Sequence, residues 1–224
     1  MKRVSINFDY VNYYFLSLFI LFFTSFQVTA RNVLPSSEKL DTMKAPKKIH
    51  EVKKMNKPTT SIQTAILAGG CFWGVEELFR NLPGVVSTEV GYTGGIVPNP
   101  TYEIVKQGTS GHAESIKIEF DSSKLSYEDL LKFFFKIHDP TTKNQQGNDI
   151  GSQYRSAIFF ESEEQHKSAQ KIKELVEASG AWKKPLVTEI VKASTFYSAE
   201  NFHQDYLKKN PGGYTCHYIR DVKF

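Results

Sequence analysis

Gly69-Gly70-Cys71-Phe72-Trp73-Gly74 sets a thiol between a small-residue turn and the start of an amphipathic pattern. Upstream, Thr64-Ala65-Ile66-Leu67-Ala68 is a short apolar run ended by two glycines, which reads as a strand. Downstream, Val75, Leu78, Phe79 and Leu82 recur at helical spacing. The segment is therefore strand, glycine turn, helix, with Cys71 in the first helical turn. Unpaired backbone N–H groups and the positive end of the helix dipole favour thiolate there, which predicts a lowered thiol pKa. The alternative is a cysteine used as a small buried apolar residue. Two aromatics and three glycines around it are more than such a packing position needs.

Working outward, Leu82-Pro83-Gly84 breaks the helix, and Val85 to Val90 reads as a β-branched strand ending at Gly91. A Gly- and Pro-rich loop follows to Pro100, the kind of segment that carries function more often than scaffold. Residues 101–107 fit a short helix, and His112 to Phe120 alternates as a strand. Ser126 with Asp129 makes a capping-box pattern before Leu130, Leu131, Phe133, Phe134 and Ile137, a helix ended by His138-Asp139-Pro140. After a polar loop from Thr141 to Gln153 come a strand over Tyr154 to Phe160 and a helix from Glu163 to about Ala178. Ser162 with Gln165 caps that helix and Gly180 stops it. A strand from Leu186 to Lys192, a short helix near Ala199 to Lys208 and a Gly-rich tail holding Cys216 complete the chain. Strands and helices mix without strict βαβ alternation, so the expected class is α+β, a mostly antiparallel or mixed sheet with helices packed on it.

The first thirty residues differ from the rest. Lys2 and Arg3 precede an uncharged run from Tyr13 to Phe26 and the small-residue stretch Val28-Thr29-Ala30. This resembles a secretory signal peptide cut after Ala30, and so an exported, periplasmic or secreted protein. An uncleaved membrane anchor is the alternative, because Tyr10 to Ala30 approaches the ~20 residues a spanning helix needs. Residues 31–62 are rich in Lys, Ser, Thr and Pro and read as a flexible linker. Residues 63–224 suit one domain with one core. A net charge of +4 over 224 residues is too mild to argue for a nucleic-acid partner.

The six histidines and two cysteines show no Cys-x-x-Cys or His-x-x-x-His spacing, so no metal is expected. The glycines form neither a dinucleotide fingerprint nor a P-loop. The two cysteines, Cys71 and Cys216, suit a disulfide in an exported chain, either permanent or cycling.

Five stretches in order carry a resemblance: Gly70-Cys71-Phe72-Trp73-Gly74, Gly91-Tyr92-Thr93-Gly94-Gly95, Gly111-His112-Ala113-Glu114, Gly147 through Ser156, and Asn210 through His217. Together they resemble the A-type peptide methionine sulfoxide reductases, over nearly all of residues 64–220. The resemblance implies a ferredoxin-like core and reduction of the S epimer of methionine sulfoxide, free or in oxidised proteins. It implies Cys71 as the nucleophile that becomes a sulfenic acid, Glu114 as the acid that protonates the sulfoxide oxygen, and Tyr102 and Tyr154 as phenols bonded to that oxygen. Asp149 is the matching loop carboxylate, and Cys216 resolves the sulfenic acid to a disulfide. It further implies no bound cofactor, an external dithiol of the thioredoxin kind as reductant, and a monomer. The residue types suit the chemistry: a sulfoxide needs a nucleophile at sulfur, a proton for its oxygen, and aromatic faces such as Phe72 and Trp73 for its methyl group. His112 and His203 read as structural.

Two other readings remain open on sequence. One is a cysteine hydrolase with His112 or His203 as base to Cys71. The other is an exported binding module whose Cys71 to Cys216 disulfide is a fixed staple.

Overall fold

The computed structural model describes residues 61–224, so the expected signal segment and nearly all of the linker lie outside the described residues. In chain order the elements are β1 (Ile62–Gly69), α1 (Phe72–Arg80), β2 (Val85–Thr93), α2 (Tyr102–Val105), β3 (Ala113–Asp121) and α3 (Tyr127–Ile137). They continue with β4 (Gln145–Gln146), β5 (Asp149–Ile150), a 3-10 turn (Ser152–Tyr154), β6 (Ser156–Phe160), α4 (Glu163–Ala178), β7 (Glu189–Lys192), β8 (Tyr197–Ser198) and α5 (Tyr206–Lys209).

Six strands form one sheet in the order β7-β6-β1-β3-β2-β8. The β6–β7 pair is parallel and the other four are antiparallel, so the sheet is mixed. Its inner four strands, β6-β1-β3-β2, joined through α1 and α3, make the βαββαβ ferredoxin-like arrangement. β1 is central, and from Ala65 to Gly69 it is buried on both faces, which is why it reads as a continuous apolar run instead of an alternating one. Ala65 and Leu67 face α1, α3 and α4 in the main core with Phe79, Phe134, Ile116 and Ile118. Ile66 and Ala68 face the other side, against Phe159, Ala193 and Phe196.

The expected caps formed. Ser126 Oγ accepts the Asp129 N–H over 3.1 Å, and Ser162 Oγ accepts the Gln165 N–H over 3.2 Å. Three local expectations are corrected. Cys71 is the residue just before α1, not inside its first turn. Tyr154 lies in the 3-10 turn ahead of β6, because the strand begins only at Ser156. The short helix near residues 199–208 shrinks to Tyr206–Lys209, since Ala199 and Gln204 side-chain and backbone groups are taken up in fastening this segment to β2.

Candidate active site

The end of β1, the turn after it and the start of α1 fix the position of Cys71. Gly70 has φ of +104°, a left-handed conformation open to glycine, and a Cβ there would lie 2.5 Å from the Gln146 side chain. Behind the turn, His138 Nδ1–H donates to the Phe134 carbonyl over 2.7 Å, and burial holds its imidazole down to about 3. His138 is thus a neutral packing histidine.

Glu114 stands on β3 opposite Tyr92 of β2, beside the start of α1. Its side chain is 3% exposed, and Oε2 accepts the Phe72 backbone N–H over 3.1 Å. Burial pushes its carboxyl up to about 8, against the single opposing pull of that N–H. At neutral pH Glu114 is therefore a protonated acid.

The expected lowered pKa of Cys71 is overturned. Burial, and then the negative charge of an ionised Glu114, push the thiol well above its ordinary range. The Trp73 N–H acts in the opposite direction, but Cys71 closes no capping hydrogen bond with the helix. A helix does start beside Cys71, but Glu114 takes its first free N–H and the thiol is out of water. The two groups are coupled, so a thiolate at Cys71 goes with a neutral Glu114.

Cys71, Phe72, Trp73, Tyr102, Glu114, Asp149, Tyr154 and Tyr214 line one cavity of about 100 Å3. Burial, with the Glu114 charge as second cause, raises both Tyr102 and Tyr154, so their phenols stay protonated as O–H donors. Trp73 is clamped: its Nε1–H donates to His203 Nδ1 over 3.0 Å and its ring stacks on Tyr206, centroids 3.8 Å apart. Glu200 accepts the Tyr92 O–H and the Tyr102 backbone N–H, each over 2.9 Å, and so fixes the tyrosine side of the cavity. Asp149 receives the Tyr214 O–H on Oδ1 over 3.1 Å and the Cys216 thiol on Oδ2 over 3.3 Å. Burial and that carboxylate push the Cys216 thiol up to about 12. A larger open groove of about 510 Å3 lies between the starts of β1 and α4, beside Glu161 and Glu164, and neither thiol lines it.

The family model described as "Peptide methionine sulfoxide reductase" matches residues 63–224. The chain belongs to that family. The reductase is 57% identical over 161 residues to "Peptide methionine sulfoxide reductase MsrA" of Mycolicibacterium paratuberculosis, covering 72% of this chain and 92% of the relative. Among solved structures it is similar to reduced Mxr1 from Saccharomyces cerevisiae, with a TM-score of 0.68 and 39% identity over 74% of this chain and 95% of that one. It is also similar to Mxr1 in complex with Trx2, with a TM-score of 0.50 and 27% identity over 75% of this chain and 97% of that one.

All the sequence-expected site residues except Cys216 line the cavity of the reductase, and Cys216 joins them through Asp149. The hydrolase alternative loses its bases. His112 Nδ1 accepts the Gly95 N–H and its Nε2 meets the Val97 carbonyl over 2.8 Å, while His203 holds Trp73. Both cysteines stand as free thiols, not as a staple. Sequence reading missed Tyr214, Glu200 and Tyr206 as parts of the site. Tyr214 stands two positions before Cys216 in the Asn210 to His217 motif, which was a signal for it; Glu200 and Tyr206 carry no such local signal.

Proposed function

We propose that the reductase turns methionine S-sulfoxide, free or in oxidised proteins, into methionine through a sulfenic acid on Cys71. The observation that carries this reading is the convergence of a buried thiol, a carboxyl that is protonated at neutral pH and two neutral phenols on one small aromatic-walled cavity. The sulfoxide methyl group lies against Phe72 and the clamped Trp73, and its oxygen accepts hydrogen bonds from Glu114, Tyr102 and Tyr154. Cys71 attacks the sulfoxide sulfur as Glu114 protonates the oxygen; the oxygen passes to Cys71, the S–O bond to the substrate breaks, and methionine leaves. The proton lost by Cys71 returns to the Glu114 carboxylate, so one buried charge is present at a time. Cys216 then closes a disulfide with Cys71, with water as the other product. An external dithiol reopens it. The complex of the related Mxr1 with Trx2 supports a thioredoxin-type donor.

Incubation of the wild type and Cys71→Ser with each epimer of a methionine sulfoxide peptide and dithiothreitol tests this. Methionine is expected from the S epimer and wild type alone; product in the mutant, or equal product from the R epimer, refutes it. We also propose export, on the basic start and apolar run of residues 2–30. Mass spectrometry of the mature protein should find Arg31 at its N-terminus, and an intact Met1 in a soluble product would contradict it.

A further inference from the structure

The arm that carries Cys216 is fastened on both sides of the sulfur: upstream, the Tyr214 O–H donates to Asp149 Oδ1 over 3.1 Å. Downstream, the Arg220 N–H donates to the Lys136 carbonyl over 3.0 Å and Phe224 packs against the main core. Immediately next to the thiol, His217 is 7% exposed, and its Nε2–H donates to the Gly69 carbonyl over 2.7 Å. A carbonyl only accepts, so the ring proton is on Nε2 and Nδ1 is a bare acceptor, 3.5 Å from Cys216 Sγ. Burial holds this imidazole down to about 4, which keeps it neutral. The ring also explains two glycines that flank the nucleophile. A Cβ on Gly70 would lie 3.1 Å from His217 Nε2, and one on Gly74 would lie 2.6 Å from His217 Nδ1 and collide with Thr215 Oγ1.

We propose that His217 is a positioning residue for disulfide closure: its bond to the Gly69 carbonyl ties the Cys216 backbone to the turn that carries Cys71. The proposal rests on the function above. In the step it serves, Cys216 Sγ attacks the Cys71 sulfenic sulfur, an S–S bond forms and the S–OH bond breaks. The Cys216 thiol proton passes to Asp149 Oδ2, to which it already donates, and the departing hydroxide takes a proton from Glu114 and leaves as water. Cys216 is oxidised and the sulfenic sulfur reduced. His217 exchanges no proton; it holds the arm in register.

The test starts from one equivalent of methionine sulfoxide peptide added without external thiol. The rate at which the sulfenic acid, trapped at intervals with dimedone, gives way to disulfide is read for wild type, His217→Ala, His217→Asn and His217→Gln. Closure is expected to slow on the order of 10²-fold in His217→Ala and His217→Asn, the scale of a misplaced reacting group. The asparagine is too short to reach the Gly69 carbonyl. His217→Gln, whose amide N–H reaches it, is expected to restore most of the rate. Wild-type closure in His217→Ala, or a glutamine variant as slow as the alanine, overturns the proposal. Should His217→Ala fail to fold, the comparison of glutamine with asparagine decides, with equal rates overturning it. Failure of the function itself shows separately, as absence of a single-turnover burst of methionine from the wild type.

Discussion

The Phe72 backbone N–H donates to Glu114 Oε2 over 3.1 Å, so the start of α1 steadies the buried acid in place of the neighbouring thiol. With a carboxyl at about 8, the acid form is lost above that pH, and kcat/KM of the wild type should fall along an alkaline limb near pH 8. Glu114→Gln should lower kcat/KM by roughly 10²- to 10⁴-fold and erase that limb. The same group sets a stability slope. Its folded pKa is raised above 4.5, so its contribution is complete below pH 4.5 and is lost as pH rises towards 8. Urea melts across that window should show stability falling by up to about 1.4 kcal/mol per pH unit from this group, and Glu114→Gln should flatten the slope.

Cys216→Ser removes the resolving sulfur while leaving the cavity lining whole, because Cys216 does not itself line the cavity. One methionine per enzyme should still appear in a rapid-quench burst, and turnover with thioredoxin should collapse. Undiminished turnover would return the hydrolase reading.

Tyr206 lies flat beneath Trp73 at 14° between ring planes. Tyr206→Leu gives up a stacked pair worth about 0.5–1.5 kcal/mol, so KM for the sulfoxide peptide should rise roughly 2- to 12-fold. A shift in tryptophan fluorescence should accompany it, since Trp182 is the single other tryptophan.

Gly74 sits inside α1, where alanine would ordinarily favour the helix by up to about 1 kcal/mol. Here the added carbon meets Thr215 and His217, so packing decides the sign. Gly74→Ala should lower Tm and slow turnover with thioredoxin more than it slows the burst.

The fold was largely legible because each element of the βαββαβ core carries its own local signal. The apolar run of β1, the Ser126 and Ser162 caps and the Leu130 to Ile137 stripe all depend on neighbours in sequence. The site was legible through the motif order, yet its electrostatics were not. The state of Cys71 is set by burial and by Glu114, 43 residues away, and no local pattern reports a partner at that distance. The β4–β5 hairpin that presents Asp149 escaped for a related reason: two-residue strands have too few positions to show alternation. The clamp on Trp73 draws on the region around α5, where fastening to β2 and to Glu76 of α1 overrode helix propensity.

The walls around Cys71 leave about 100 Å3, room for the tip of one unbranched side chain. A damaged residue must therefore protrude from its own protein before it can be mended. Repair will favour lesions on loops, chain ends and partly unfolded molecules, and a lesion sealed in a well-packed interior will wait until its host opens.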